Sequence, residues 1–191
     1  MNLEFLINIL IQEKPSESLK KHEEETFKMI PELSICKGFN QNNEWHIYDV
    51  YNHILHVVDG VPNNINLRMV ALFHDIGKPY VYKVDDLGIG HFRGHWLKSK
   101  EIFENFINQY SIENIKKDLI SKLILYHDLN IEKLSEKELL EFLNNFNKED
   151  ITLLFQLKRS DLLAQNEKFH YLLKEYQNQE LKLLDKLNTK L

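Results

Sequence analysis

Cysteine is almost missing from this chain: Cys36 stands alone among 191 residues. No internal disulfide can form, and the thiolate clusters of structural zinc sites are excluded. This suits a reducing, cytosolic setting. Glycine and proline are also scarce, at 6 and 4, which argues against a turn-rich β architecture and for helices. No long apolar run exists. The stretch from Phe5 to Ile11 is broken by Asn8 and followed by charge, and the start Met1-Asn2-Leu3-Glu4 has no basic segment. Neither a signal peptide nor a membrane span is expected, so a cytoplasmic location without membrane contact is. Positive charge is not in excess either. Lys and Arg number 24 against 29 Asp and Glu, a net of -5. That disfavours a broad, nonspecific nucleic-acid surface while leaving room for a local basic pocket. Repeats and low-complexity tracts are absent, and the length suits one domain.

What the chain does have is histidine, nine in all, and their placement matters more than their number. Residues 2–13 read as a short helix with Leu3, Leu6, Ile7 and Leu10 inward. Pro15 breaks it, and Ser16 is expected to cap a second helix running to about Met29, before Pro31. His22 lies in the charged run of that helix and reads as a surface residue. The segment from Ser34 to Glu44 is polar and loop-like. A helix follows to about Val58, on which Val50, His53, Ile54 and Val57 share a face while His56 points elsewhere. Asn66 is a candidate cap for the next helix.

That next helix ends in chemistry. Leu67, Val70, Ala71 and His74 fall at i, i+3, i+4 and i+7, so His74 lies on the buried stripe. Asp75 follows at once, and Gly77 with Pro79 gives the stop signal. Tyr80 to Val84 and Ile89 to Phe92, joined by the turn Asp85-Asp86-Leu87-Gly88, read as a small β-hairpin. Gly94-His95 opens a helix with His95, Ile102 and Phe106 on its inner face. A helix from Ile112 to about Tyr126 places Ile120, Leu123, Ile124 and His127 on one stripe. Ser135 and Asn147 are expected caps for two further helices, the second carrying Asp161 in line with Leu154 and Leu157. A last amphipathic helix spans about 166–187.

Several helices thus each put one metal-competent side chain on a buried stripe: His53, His74 with Asp75, His95, His127 and Asp161. One buried histidine is ordinarily just hydrogen-bonded in place. Several, meeting in one core, form a polar cluster that must be satisfied, and a cation does this with directional bonds that offset the carboxylate charge. The donors are nitrogen and oxygen, which suits Mn, Fe, Co, Ni, Zn or Mg. A hydrogen-bonded polar core without metal is the rival reading.

The order of His53, then His74-Asp75, then Asp161 resembles the HD superfamily of metal-dependent phosphohydrolases. More narrowly, His46-Ile-Tyr-Asp49-Val50-Tyr-Asn-His53, Phe73-His74-Asp75-Ile76-Gly77-Lys78-Pro79, the hairpin, and Phe92-Arg93-Gly94-His95 resemble the HD domain attached to bacterial tRNA nucleotidyltransferases. The resemblance implies an all-α fold, a compact HD-domain helical bundle with one small β-hairpin. Its core would be about 45–165, with N-terminal helices 2–30 and the C-terminal helix packed on it. It implies His53, His74, Asp75 and Asp161 as ligands of a divalent metal ion, with His95 and His127 joining a second metal or a phosphate. The paired-carboxylate motif of the nucleotidyltransferase catalytic domain is missing, so nucleotide addition to tRNA is not expected of this chain.

The expected activity is hydrolysis of a phosphate ester, as a phosphomonoesterase or phosphodiesterase, with a nucleotide among the substrate candidates. Asp75 would be both ligand and orienter of a water. Lys78 would meet a phosphate oxygen, or else be a solvated lysine near a helix C-terminus, where the dipole favours cations. Arg93 is a second phosphate contact or an exposed surface residue, and His91 and Asp128 flank the site. A tRNA 3′ end as partner rests on analogy alone. The non-enzymatic alternative is a metal-containing module that binds a nucleotide, tRNA or protein through its last helix.

Overall fold

The computed structural model describes residues 2–110 and 115–189. α1 (Leu3–Leu10) is capped by the Asn2 side chain, which accepts from the Phe5 amide, and it buries Leu3, Leu6, Ile9 and Leu10. The expected second helix is two: α2 (Pro15–Lys21) and α3 (Glu23–Met29), broken at His22. Pro15 takes the first helical position, where its missing N–H costs nothing. Ser16 therefore caps nothing. Its hydroxyl donates to Asp59 Oδ2 at 2.6 Å. α4 (Pro31–Cys36) runs on into the segment expected to be a loop, because Leu33 and Cys36 are drawn into the core.

α5 (Val50–Gly60) starts on Asp49, whose carboxylate accepts from the Asn52 amide at 2.7 Å. α6 (Ile65–Phe73) is capped by Asn64 rather than Asn66; the Asn66 side chain instead accepts from the Lys116 amide at 2.8 Å. Every residue from Leu67 to Phe73 is buried, as befits a helix with other helices on all sides. Even Arg68 is enclosed, its guanidinium donating to the Leu10 and Gln12 carbonyls and so tying α1 to α6.

Past Asp75 the chain forms a short turn of helix, α7 (Lys78–Val81), where strand had been expected to begin. The hairpin is correspondingly small. β1 (Lys83–Val84) pairs antiparallel with β2 (Gly90–His91), Lys83 opposite His91 and Val84 opposite Gly90. Gly94, at φ +87°, turns the chain into α8 (His95–Ile107). α9 (Lys117–Tyr126) follows; the expected start at Ile112 lies outside the described residues. α10 (Glu136–Asn145) and α11 (Lys148–Leu163) each open on a capping box, Ser135 with Glu138 and Asn147 with Asp150. The expected last helix begins late. Asn166 caps a short 3₁₀ turn, and α12 (Leu172–Thr189) starts after it.

The result is a mostly helical bundle with one hairpin, as expected. α6 packs against α5, α8, α9 and α11, while α1 and α2 cover α6 and α5, and α12 lies along α11. None of the described helices is long and apolar enough to cross a membrane.

One close approach sets the geometry at the end of α6. The Gly77 amide donates to Ser99 Oγ at 2.9 Å. A Cβ on Gly77 would lie 2.6 Å from the Ser99 nitrogen and 2.7 Å from the His95 carbonyl. Gly77→Ala would force α8 away from α6, and overpacking of this kind costs about 1–3 kcal/mol. Thermal unfolding is expected to shift down by roughly 2–4 °C per kcal/mol. An unchanged midpoint would show that the contact is slack.

Candidate metal centre

Five elements deliver six side chains to one point. His53 comes from near the start of α5, and His74 and Asp75 from the end of α6. His95 is the first residue of α8, His127 follows α9, and Asp161 sits in the last turns of α11. All but Asp161 are buried, and its side chain is one-fifth exposed. Asp75, at 2% exposure, is the hub. Its Oδ2 lies 3.2 Å from His53 Nε2 and 3.4 Å from His74 Nε2. Its Oδ1 lies 3.1 Å from His95 Nε2 and 3.6 Å from His127 Nε2. Asp161 Oδ1 is 3.0 Å from His53 Nε2 and 3.9 Å from His74 Nε2. Two groups of donors therefore share Asp75: His53, His74, Asp75 and Asp161 in one, Asp75, His95 and His127 in the other.

Backbone carbonyls decide which way the rings face. His74 Nδ1 is 2.7 Å from the Ala71 carbonyl, His95 Nδ1 2.9 Å from Phe92, and His127 Nδ1 2.7 Å from Ile124. His53 Nδ1 reaches the Ala164 carbonyl at 3.4 Å. A carbonyl only accepts, so each Nδ1 carries its hydrogen and each neutral ring turns a bare Nε2 lone pair inward. His53 Nε2 and His74 Nε2 make no aligned hydrogen bond despite the nearby carboxylates. His95 Nε2 and His127 Nε2 face each other at 3.1 Å. Lone pairs pointed at lone pairs and at carboxylate oxygens repel unless something positive lies between them.

Without a cation, protons must fill that role. Burial works against a charge on His53, but Asp161 and Asp75 more than offset it and hold the ring up at about 9. Asp75 resists its own burial through Lys78, then His74, and stays well below the usual carboxylate range. Asp161 likewise resists its burial through the close His53 ring and is held low. Asp75 is paired with the ammonium of Lys78, and Asp161 feels the buried ammonium of Lys158. The inward acceptors and the two carboxylates fit a divalent cation, which takes imidazole nitrogen and carboxylate oxygen together.

Lys78 is neither solvated nor free, in contrast to both sequence-based expectations. It is 5% exposed. Its ammonium lies 2.6 Å from Asp75 Oδ2, 2.8 Å from Gln41 Oε1 and 3.0 Å from His46 Nε2. Three hydrogens meet three acceptors, so no donor is left for a phosphate. Arg93 is different: exposed, beside the centre, and with no ion pair or hydrogen bond among the described residues. His91 is exposed and bonded to Asp85 at 2.8 Å. His56 is exposed and stacks on Tyr48, and His22 packs edge-on to Phe5, both away from the centre.

Sequence reasoning missed the supporting shell. Gln41, 1% exposed, accepts from Lys78 and donates to the Tyr48 carbonyl. His46 Nδ1 donates to Asn43 Oδ1 at 2.8 Å, and burial followed by the Lys78 charge pushes its pKa down to about 2. Gln165 Nε2 donates to Asp161 Oδ1 at 3.1 Å. The run Asn40-Gln41-Asn42-Asn43 has no period, so nothing marked it as more than a loop. The signal was its amide density just before a histidine.

The centre opens on two cavities, of about 500 and 360 Å³, with His46, His127, Asp128, Asp161 and Gln165 on the walls of both. Fold and site together define an α-helical module built around a histidine–carboxylate centre that could hold a divalent metal. The HD domain family model matches residues 45–186, and the chain belongs to that family. A search of curated proteins finds no match.

Removing the charge of Lys78 would leave Asp75, Gln41 and His46 without their shared donor. Breaking one side of a buried pair costs about 3–5 kcal/mol. Lys78→Met is expected to destabilise by about this much in chelator, and by less with a divalent cation present to balance Asp75. Chemical denaturation with and without metal measures the difference. Equal, small losses in both would show that the ammonium does not balance Asp75.

Proposed function

We propose that this protein is a divalent-metal-dependent phosphohydrolase, a phosphomonoesterase or phosphodiesterase acting on a nucleotide or similar small phosphate ester. The observation that carries the reading is the set of inward-facing Nε2 atoms and carboxylates, complete and beside an open cavity. A module kept only for binding would be free to lose ligands. Membership of the HD family supports the same reading. In it, His53, His74, Asp75 and Asp161 hold one ion, and Asp75, His95 and His127 hold a second or grip the phosphate. The nitrogen and oxygen donors suit Mn, Ni, Co, Fe, Mg or Zn. Such an ion, when bound, acidifies a water molecule and offsets charge on the phosphoryl group.

The chain's own residues do the rest. Asp75 joins the two donor groups and orients the attacking water. Lys78 holds Asp75 in place and acts through it, with Gln41 and His46 fixing the ammonium. Gln165 steadies Asp161. Arg93 offers its free guanidinium to phosphate oxygens, a charge-assisted contact. In the hydrolysis a bond forms between water oxygen and phosphorus, the phosphorus–oxygen bond to the leaving group breaks, and a water proton ends on the departing oxygen. The resemblance to the HD domain of tRNA nucleotidyltransferases brings a tRNA 3′ end into the substrate panel, but the net charge of -5 favours a small substrate.

The test is release of phosphate or alcohol from a panel of nucleotides and generic esters, with Mn, Ni, Co or Mg added. Asp75→Ala is expected to abolish metal-dependent turnover. Arg93→Ala is expected to lower kcat/KM about ten- to a hundredfold, since a hydrogen bond to a charged group contributes about 1.5–3 kcal/mol. Bound metal with no turnover on any ester would contradict the hydrolase and favour a binding module.

A further inference from the structure

The two cavities beside the centre differ in charge. The smaller, toward the hairpin and the start of α8, has the unpaired Arg93 on its wall. Asp128 stands on the wall of both, and only the larger, against α12, adds Glu175. Asp128 takes no hydrogen bond or ion pair among the described residues. Glu175 accepts only from Gln179 Nε2, at 3.1 Å through Oε1, which leaves its other oxygen open. The one lysine on the wall of this larger cavity, Lys158, is buried, and its charge is set against Asp128 and Asp161. Its ammonium donates to the His127 carbonyl at 2.7 Å and the Leu129 carbonyl at 3.1 Å, and lies over the Tyr176 ring.

The larger cavity also presents flat aromatic surface. Trp45 stacks on Phe169, ring centres 3.5 Å apart and 12° from parallel, and stays 38% exposed. The backbone pins it, the Trp45 amide donating to Asn43 Oδ1 and its carbonyl accepting from the Asn166 amide. Tyr171, largely exposed, stands on the wall of the same cavity. A volume of about 500 Å³ is within the range of small-molecule sites.

We infer that the larger cavity is the subsite for the leaving group, and that it takes a nucleoside with no negative charge of its own. This rests on the phosphohydrolase reading and adds a direction to it. The scissile phosphate lies at the histidine–carboxylate centre with its free oxygens toward Arg93. The base extends toward Trp45 and Tyr171, and the open carboxylates of Asp128 and Glu175 accept hydrogen bonds from the nucleoside. A second phosphate on the nucleoside would meet the Glu175 carboxylate, which pairs with no cation among the described residues. The site therefore rejects nucleosides that carry one.

The test is equilibrium binding to the metal-loaded protein by calorimetry. The first probe is the analogue of adenosine 5′-monophosphate in which CH₂ replaces the ester oxygen. The second is the same molecule with an added 3′-phosphate. The first is expected to bind about tenfold more tightly or better, because like charges brought together oppose association. Glu175→Lys is expected to erase or reverse that preference, and Glu175→Gln, which can keep the contact with Gln179, to reduce it. Equal affinity for the two probes, no binding of either, or a preference that Glu175→Lys leaves intact would overturn the inference. Binding as expected with no ester cleaved would uphold the subsite and count against the hydrolase alone.

Discussion

The buried Asp75 carboxylate is the constraint around which the other features arrange themselves. Four imidazoles, a second carboxylate and an ammonium meet at or beside it. An unbalanced charge at that depth would cost several kcal/mol, far more than a typical surface contact returns. The fold answers with two devices. Lys78, on the wall of the smaller cavity, neutralises Asp75 and is itself fully partnered. On the other side, backbone carbonyls fix the Nδ1 hydrogens and leave lone pairs pointing inward. A cation bound there would find its ligands already ordered, so little would be lost in ordering them.

Helix ends do most of this positioning. His74 and Asp75 close α6, His95 opens α8, and His127 follows α9. At each of the three histidines the Nδ1 bond goes to the carbonyl three residues earlier; for His74 and His127 it belongs to the last turn of a helix, and for His95 it is the Phe92 carbonyl, which also accepts from the His95 amide. Lys158, reaching from α11 to the carbonyls of His127 and Leu129, does the same service for the turn after α9. Gly77 lets α8 come close enough for His95 to reach Asp75. Backbone groups that helix termini leave unsatisfied have become the outer shell of the centre.

Much of this was legible in the sequence because helical periodicity reports burial. His53, His74, His95 and His127 sit on apolar stripes, and the structure buries all four. Ser135 and Asn147 were readable as caps because their partners lie three residues on. The failures share a cause, namely contacts between residues far apart in the chain. Ser16 was claimed by Asp59 and Asn66 by Lys116, so neither caps the helix beside it. Lys78 looked available because nothing local showed that Gln41 and His46 would close over it. The shell at 40–46 was invisible because a loop has no period, and its meaning comes only from what folds against it. The late start of α12 follows from Asn166, which is held by the Trp45 and Glu44 carbonyls.

The most direct test is the metal content of protein purified without chelator or histidine tag, by elemental analysis before and after reconstitution with Mn, Ni, Co, Fe, Zn or Mg. The expected result is an ion held by His53, His74, Asp75 and Asp161, which His127→Ala keeps, with any second ion lost from that variant. Protein that stays metal-free after reconstitution would contradict the account. The inward lone pairs would then be satisfied by protons, and the centre would be a polar core and nothing more.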